Sequence, residues 1–135
     1  MYQNILVPMA LDHEISANTL AIAKALAGDN AVITALHVHE EAQGSVRAYL
    51  DDEVLMEGFE RAKAELRRKT EGLDAVKTVI VKGHTYRTII DFAAEHGVDC
   101  IVIGSHRPGL SDYLLGSTAA RVVRHAACAV HVYRS

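Results

Sequence analysis

The chain has 135 residues, of which 50% are hydrophobic and 23% are charged, a balance typical of a folded globular domain. Its formal net charge is −3 and it contains no tryptophan, so neither a basic nucleic-acid surface nor a base-stacking platform is expected. The sequence shows no apolar run as long as a membrane span and no basic start of an export signal. We therefore expect a single cytoplasmic domain over residues 1–135 that binds neither nucleic acid nor membranes.

Short apolar runs that predict strands alternate with longer stretches of helical periodicity. The predicted strands are residues 4–8, 31–38, 76–82, 99–104 and 129–133. The first and fourth runs are almost continuously apolar, as in central parallel strands that are covered on both faces. The third and fifth runs alternate more, which favours edge positions in the sheet.

Four helices are predicted between these strands, over residues 13–27, 51–70, 86–96 and from about residue 115 onward. We expect Asp12 to cap the first helix and Gly28 to end it. Val54 and Val123 are expected on buried stripes of the second and fourth helices. The irregular loop 40–49 is expected to act as a flap over the sheet edge.

This alternation of strands and helices predicts an α/β fold, an open parallel sheet with helices on both faces. Ligands of such sheets bind beyond the carboxyl ends of the strands. Those ends are residues 8–12, 38–41, 82–85 and 104–110.

The segment 104–118, GSHRPGLSDYLLGST, carries the most chemical information. Glycines allow close backbone approach to a ligand, and free N–H groups at the helix start near residues 116–118 favour an anion such as phosphate. His106 and Arg107 would add positive charge from the loop. The alternative is a glycine-containing turn in which Ser117 only caps the helix, since the spacing matches neither a dinucleotide fingerprint nor a P-loop.

Three stretches resemble the universal stress protein family, and the resemblance covers residues 4–133. They are the opening ILVPM, the second predicted strand ALHVHE and the tail IVIGSHRPGLSDYLLGSTAARVVRHAACAVHV. The resemblance implies a Rossmann-like five-stranded parallel sheet of order 3-2-1-4-5, as in adenine nucleotide alpha hydrolase-like proteins. It also implies a stress-response regulatory protein that binds ATP or AMP, with or without Mg²⁺, and forms a homodimer through the last strand near Val130 and Val132.

Carried over residue by residue, the resemblance implies a nucleotide site at the carboxyl edge of the sheet. Adenine would lie against the exit of the first strand and against the second strand, while the phosphates would face the start of the last helix. The nucleotide-binding candidates are Pro8, Met9, Ala10, Val38, Ile103, Gly104, Ser105, His106, Arg107, Gly109, Gly116, Ser117 and Thr118.

Two candidate positions depart from the family's nucleotide-binding pattern. Arg107 stands where the pattern has a second glycine, and Ala10 stands where relatives carry an aspartate that accepts hydrogen bonds from the nucleotide. The loss of such a bond removes roughly 1.5–3 kcal/mol of binding free energy, unless Asp12 substitutes. The alternatives to a nucleotide-binding regulator are therefore a dimeric interaction module that has lost the nucleotide, and a slow ATP hydrolase or nucleotidyl transferase. No catalytic or metal-binding residue is assigned.

The histidines and cysteines receive structural interpretations. His37 and His39 share one face of the second strand without a third metal ligand nearby in sequence, so we place them at the strand exit, with His39 near the ligand. His131 on the last strand is expected to face a dimer partner. Cys100 and Cys128 lie in apolar stretches and are expected to be buried free thiols.

Overall fold

A five-stranded parallel sheet forms the centre of the computed structural model, which describes residues 1–11, 16–40, 44–105 and 115–134. The strand order β3-β2-β1-β4-β5 confirms the predicted order, with β3 and β5 at the edges. The strands are β1 (Tyr2–Pro8), β2 (Ala27–His39), β3 (Val76–Lys82), β4 (Cys100–Ser105) and β5 (Ala129–Arg134). The helices of the described residues are α1 (Ser16–Leu26), α2 (Gly44–Ala48), α3 (Asp52–Lys69), α4 (Thr85–Glu95) and α5 (Ser117–His125).

Two apolar layers cover the sheet, one on each face. Ile5 and Val7 of β1 pack on one side with residues of α1 and α3, whereas Leu6 packs on the other side with residues of α4 and α5. Because both faces of this part of β1 are covered, the successive residues Ile5, Leu6 and Val7 are all apolar and fully buried. Within the part of the chain that the structure describes, no helix is long and apolar enough to cross a membrane.

The connection from α1 to β2 differs from the prediction. The helix ends at Leu26, and β2 begins at Ala27 rather than at residue 31, so Gly28 lies in a strand and does not end the helix. Ala27 pairs with Tyr2, and a register shift follows along β1 before the regular ladder resumes. Asn30 in this early part of β2 has a positive φ of 62°. The predicted cap, Asp12, lies outside the described residues.

Two expectations about the helices were wrong. The loop predicted over residues 40–49 contains the short helix α2, while residues 41–43 lie outside the described part. Val54 and Val123, both expected to be buried, are each 46% exposed. Leu66 is the buried residue of α3, near its carboxyl end, and in α5 the neighbouring Val122 takes the buried position. The buried stripes are therefore narrower than the sequence pattern indicates.

Candidate functional site

A pocket of about 450 Å³ opens at the carboxyl edge of the sheet, beside the ends of β1, β2 and β4 and the starts of α4 and α5. From β1 the chain proceeds to β2 on one side, whereas β4 proceeds to β5 on the other, so the strand order reverses between β1 and β4. A reversal of this kind is where open α/β sheets bind ligands. The pocket therefore lies where the sequence predicts it.

Most of the predicted site residues line this one pocket. The described residues that it brings together are Pro8, Met9, Ala10, Val38, Ile103, Gly104, Ser105, Gly116, Ser117 and Thr118. His106, Arg107 and Gly109 lie outside the described residues. Six further residues line the pocket without having been predicted from the sequence: Leu11, Leu36, His37, Thr85, Ile89 and Ala119.

The sequence spacing of some of these unpredicted pocket residues indicates that they lie near the site. Leu36 and Val38 are two residues apart in β2 and therefore lie on the same face of the strand. Thr85 and Ile89 are four residues apart at the start of α4, which follows the exit of β3. With Val38 and Ile103 only 7% and 4% exposed, this part of the pocket has apolar walls.

Several backbone N–H groups lie close together at the start of α5. Gly116 is the N-cap, and its N–H donates to the Oγ of the buried Ser105 at 2.8 Å. The N–H groups of Ser117, Thr118 and Ala119 belong to the first helical turn and have no intrahelical acceptor. They are therefore the donors that the helix start presents to the pocket.

This geometry corrects two sequence-based expectations. Ser117 is the first residue of α5 and not its cap, and the N–H of Gly116 is not free. Gly116 has φ −59° and ψ 153°, a conformation open to any residue. Its lack of a side chain matters because it is buried and lines the pocket, and not because of its backbone conformation.

A histidine of β2 forms a hydrogen bond to the residue that follows β1 and so holds this side of the pocket in place. The Nδ1 of His37 lies 2.8 Å from the carbonyl oxygen of Met9, and because a carbonyl only accepts, Nδ1 carries the proton. The N–H of Met9 in turn donates to the oxygen of Leu36 at 2.8 Å. His37 lines the pocket, whereas His39 packs edge-on against Phe59 of α3 at 5.5 Å between ring centroids. The described residues include no group of three potential metal ligands that would complete a site with this pair.

A carboxylate occupies the start of α4. Glu40 accepts hydrogen bonds from both the N–H and the hydroxyl of Thr85, and the N–H bond measures 2.8 Å. These bonds hold the pKa of Glu40 below its usual value, with a smaller contribution from His84. Of the two helix starts that border the pocket, the start of α5 is therefore the one without a carboxylate acceptor among the described residues, which favours it for an anionic ligand.

Fold and pocket together define a Rossmann-like α/β protein with a ligand pocket at the reversal of strand order. A model of the universal stress protein family matches residues 1–134, and the chain belongs to this family.

Individual relatives agree with this assignment. The chain is 33% identical to universal stress protein G of Escherichia coli O157:H7, over 99% of this chain and 100% of that protein. The solved structure of universal stress protein UspA from Lactobacillus plantarum is 30% identical, covers 98% of both chains and superposes with a TM-score of 0.80. Two more distant structures share the fold. They are a universal stress protein in complex with cAMP (22% identical, TM-score 0.69, 98% of this chain and 97% of that chain) and one from Archaeoglobus fulgidus in complex with dAMP (20%, 0.62, 97% and 97%).

Proposed function

We propose that this protein binds an adenine nucleotide, ATP or AMP, in the pocket at the carboxyl edge and acts as a homodimeric regulator of the stress response. The proposal rests on one observation, that apolar groups line one part of the pocket and hydrogen-bond donors line another. Val38 and Ile103 offer apolar walls suited to a base, while the first turn of α5 offers N–H groups suited to a phosphate. The cAMP and dAMP complexes of two proteins with this fold support an adenine nucleotide as the ligand class.

Each part of the nucleotide would have a distinct role in binding. The N–H groups of residues 117–119 and the hydroxyls of Ser117 and Thr118 would donate to phosphate oxygens, reinforced by the helix dipole. The bond between Ser105 and Gly116 would hold this helix start against β4. The described lining of the pocket contains hydroxyls but no carboxylate, so a Mg²⁺ ion would be held mainly by the phosphates.

The first test is to identify small molecules released from natively purified protein by mass spectrometry, and then to titrate the stripped protein with ATP. We expect Gly116→Val to weaken ATP binding by at least about tenfold, because Gly116 is buried in the pocket lining, where a larger residue takes up space beside the donors of α5, while the backbone remains allowed. Ser117→Ala should weaken binding several-fold through the loss of one hydroxyl donor.

Ser45→Ala on the exposed helix α2 is the matched control and should leave the affinity unchanged. Circular dichroism melting curves establish that each variant is folded. Unchanged ATP affinity in folded Gly116→Val protein would show that the nucleotide does not bind at this helix start.

One observation favours a second candidate, an interaction module of the same fold without a nucleotide. Ala10 lines the pocket and provides only a methyl group where the family pattern has an aspartate. A protein that purifies empty and does not bind ATP would support this candidate. ATP binding that is restored in Ala10→Asp but not in Ala10→Asn, whose side chain has the shape of aspartate without its charge, would then identify the missing carboxylate as the reason why the protein does not bind ATP.

A further inference from the structure

Four basic side chains surround one tyrosine on the surface formed by the start of α4 and by α5, next to the pocket but outside its lining. We call His84, Tyr86, Arg87, Arg121 and His125 the Tyr86 cluster. The Tyr86 ring meets His84 edge-on at 5.1 Å and stacks with His125 at 6.0 Å between ring centroids. The guanidinium carbons of Arg121 and Arg87 lie 5.1 and 5.9 Å from the centre of the same ring.

The charge of this cluster is opposed at one described point, where Glu40 lies close enough to His84 for the histidine to lower the pKa of the carboxylate. Neither Arg87 nor Arg121 forms an ion pair with any residue that the structure describes. All four basic side chains are on exposed residues, while Tyr86 between them is half-buried. In a chain of net charge −3, the cluster is thus a local positive patch that contains two exposed arginines.

We propose that the Tyr86 cluster is a docking surface for an acidic segment of a partner protein. Guanidinium groups bind carboxylates through paired, charge-assisted hydrogen bonds. Stacking on Tyr86 restricts the arginine side chains before binding, so less conformational entropy is lost when the partner docks. Tyrosine and arginine are also among the residue types that contribute most to binding at protein interfaces.

The cluster adjoins the pocket through the helices that carry both. Thr85 lines the pocket and Tyr86 follows it directly in α4, while Arg121 lies one helical turn after Ser117 on the same side of α5. A ligand held between the starts of α4 and α5 would fix the spacing of these helices, and with it the geometry of the cluster. This coupling rests on the proposed nucleotide binding, whereas the docking surface itself does not.

The test uses a capped, fluorescein-labelled peptide of alternating glutamate and glycine, and measures its binding to the full chain by fluorescence anisotropy at low salt. We expect Arg121→Gln and Tyr86→Leu each to weaken peptide binding by about tenfold. Arg67→Gln, which removes an exposed arginine from the last turn of α3, is the matched control and should change affinity by less than about twofold. A peptide with glutamine in place of glutamate should not bind.

The outcomes separate the docking surface from the nucleotide site. Absent peptide binding, or equal losses in Arg121→Gln and Arg67→Gln, would overturn the docking surface. The docking surface would also be overturned if anionic vesicles or duplex DNA bound to the chain and lost as much affinity in Arg121→Gln as the peptide does. That result would assign the cluster to another class of partner.

Saturating ATP should shift peptide affinity by at least about fivefold in either direction, and no shift despite ATP binding would overturn the coupling. Arg121→Gln should bind ATP normally. If the chain does not bind ATP but Arg121-dependent peptide binding persists, the proposed function fails and the docking surface stands.

Discussion

At the scale of single residues, the carboxylate of Glu40 connects the end of β2 to the start of α4. We expect Glu40→Gln to lower the free energy of unfolding at neutral pH by about 1 kcal/mol, the usual contribution of a helix cap reduced by solvent exposure. The folded state lowers the pKa of Glu40, so this stabilisation is present above the unfolded-state pKa near 4.5 and is lost as the pH falls through the folded value. Urea denaturation at neutral pH and in acid measures both effects.

The difference between wild type and Glu40→Gln should therefore disappear in acid. Glu53→Gln is the matched control. Glu53 is an exposed carboxylate in the first turn of α3, where the side chain of Asp51, and not that of Glu53, accepts the capping hydrogen bond. A pH-independent difference for Glu40→Gln would show that the cap acts through packing and not through its charge.

Some residues of the candidate site can be predicted from the sequence, whereas others cannot. Gly104 and residues 116–118 follow from the position of strand exits and from the family resemblance, and the structure places them in one pocket. The bond between Ser105 and Gly116, and the entry of Thr85 into the lining, are not visible in the sequence. They depend on where two helices start relative to β4 and β2, which only the tertiary structure determines.

At the scale of secondary-structure elements, the end of α4 depends on one glycine. Gly97 has φ +66°, and the N–H of Val98 donates to the oxygen of Ala93 at 3.0 Å, the bond of a Schellman motif. We expect Gly97→Ala to lower the free energy of unfolding by about 1 kcal/mol, because the left-handed conformation disfavours a side chain even though space is available. Urea denaturation monitored by circular dichroism measures this loss.

A second glycine provides the matched control. Gly58 lies inside α3, and the nearest described side chain that a methyl group there would meet is the end of Arg61, at 3.9 Å. Gly58→Ala should therefore raise the free energy of unfolding by about 1 kcal/mol, since alanine favours helix more than glycine does. Equal effects of the two substitutions would contradict the role assigned to the backbone of Gly97.

Element boundaries were harder to predict than element types. All five strands were predicted, since short apolar runs separated by helical stretches indicate them, but β2 begins at Ala27. Gly28 and Asn30 are typical of turns, and local preference alone would end a helix there. Pairing with Tyr2 of β1 extends the strand instead, so a tertiary contact overrides the local preference.

At the scale of the whole molecule, the alternation of elements predicts a parallel sheet but not the order of its strands. The order came from the family resemblance, and the structure confirms it. This order leaves β5 (Ala129–Arg134) paired with β4 on one side and without a neighbouring strand from the described residues on the other. An open strand edge of this kind invites pairing with another strand.

We expect the chain to form a homodimer in which two β5 edges pair antiparallel about a two-fold axis. In that arrangement the middle of the six-residue strand, at His131 and Val132, lies next to its own copy. His131→Glu should then place two negative charges close together and weaken the dimer several-fold, without disturbing the core, because His131 is exposed. Light scattering over a range of protein concentrations measures the dimer dissociation constant. A wild-type mass that stays monomeric at every concentration would exclude the dimer, and an unchanged dissociation constant in His131→Glu would place the interface elsewhere.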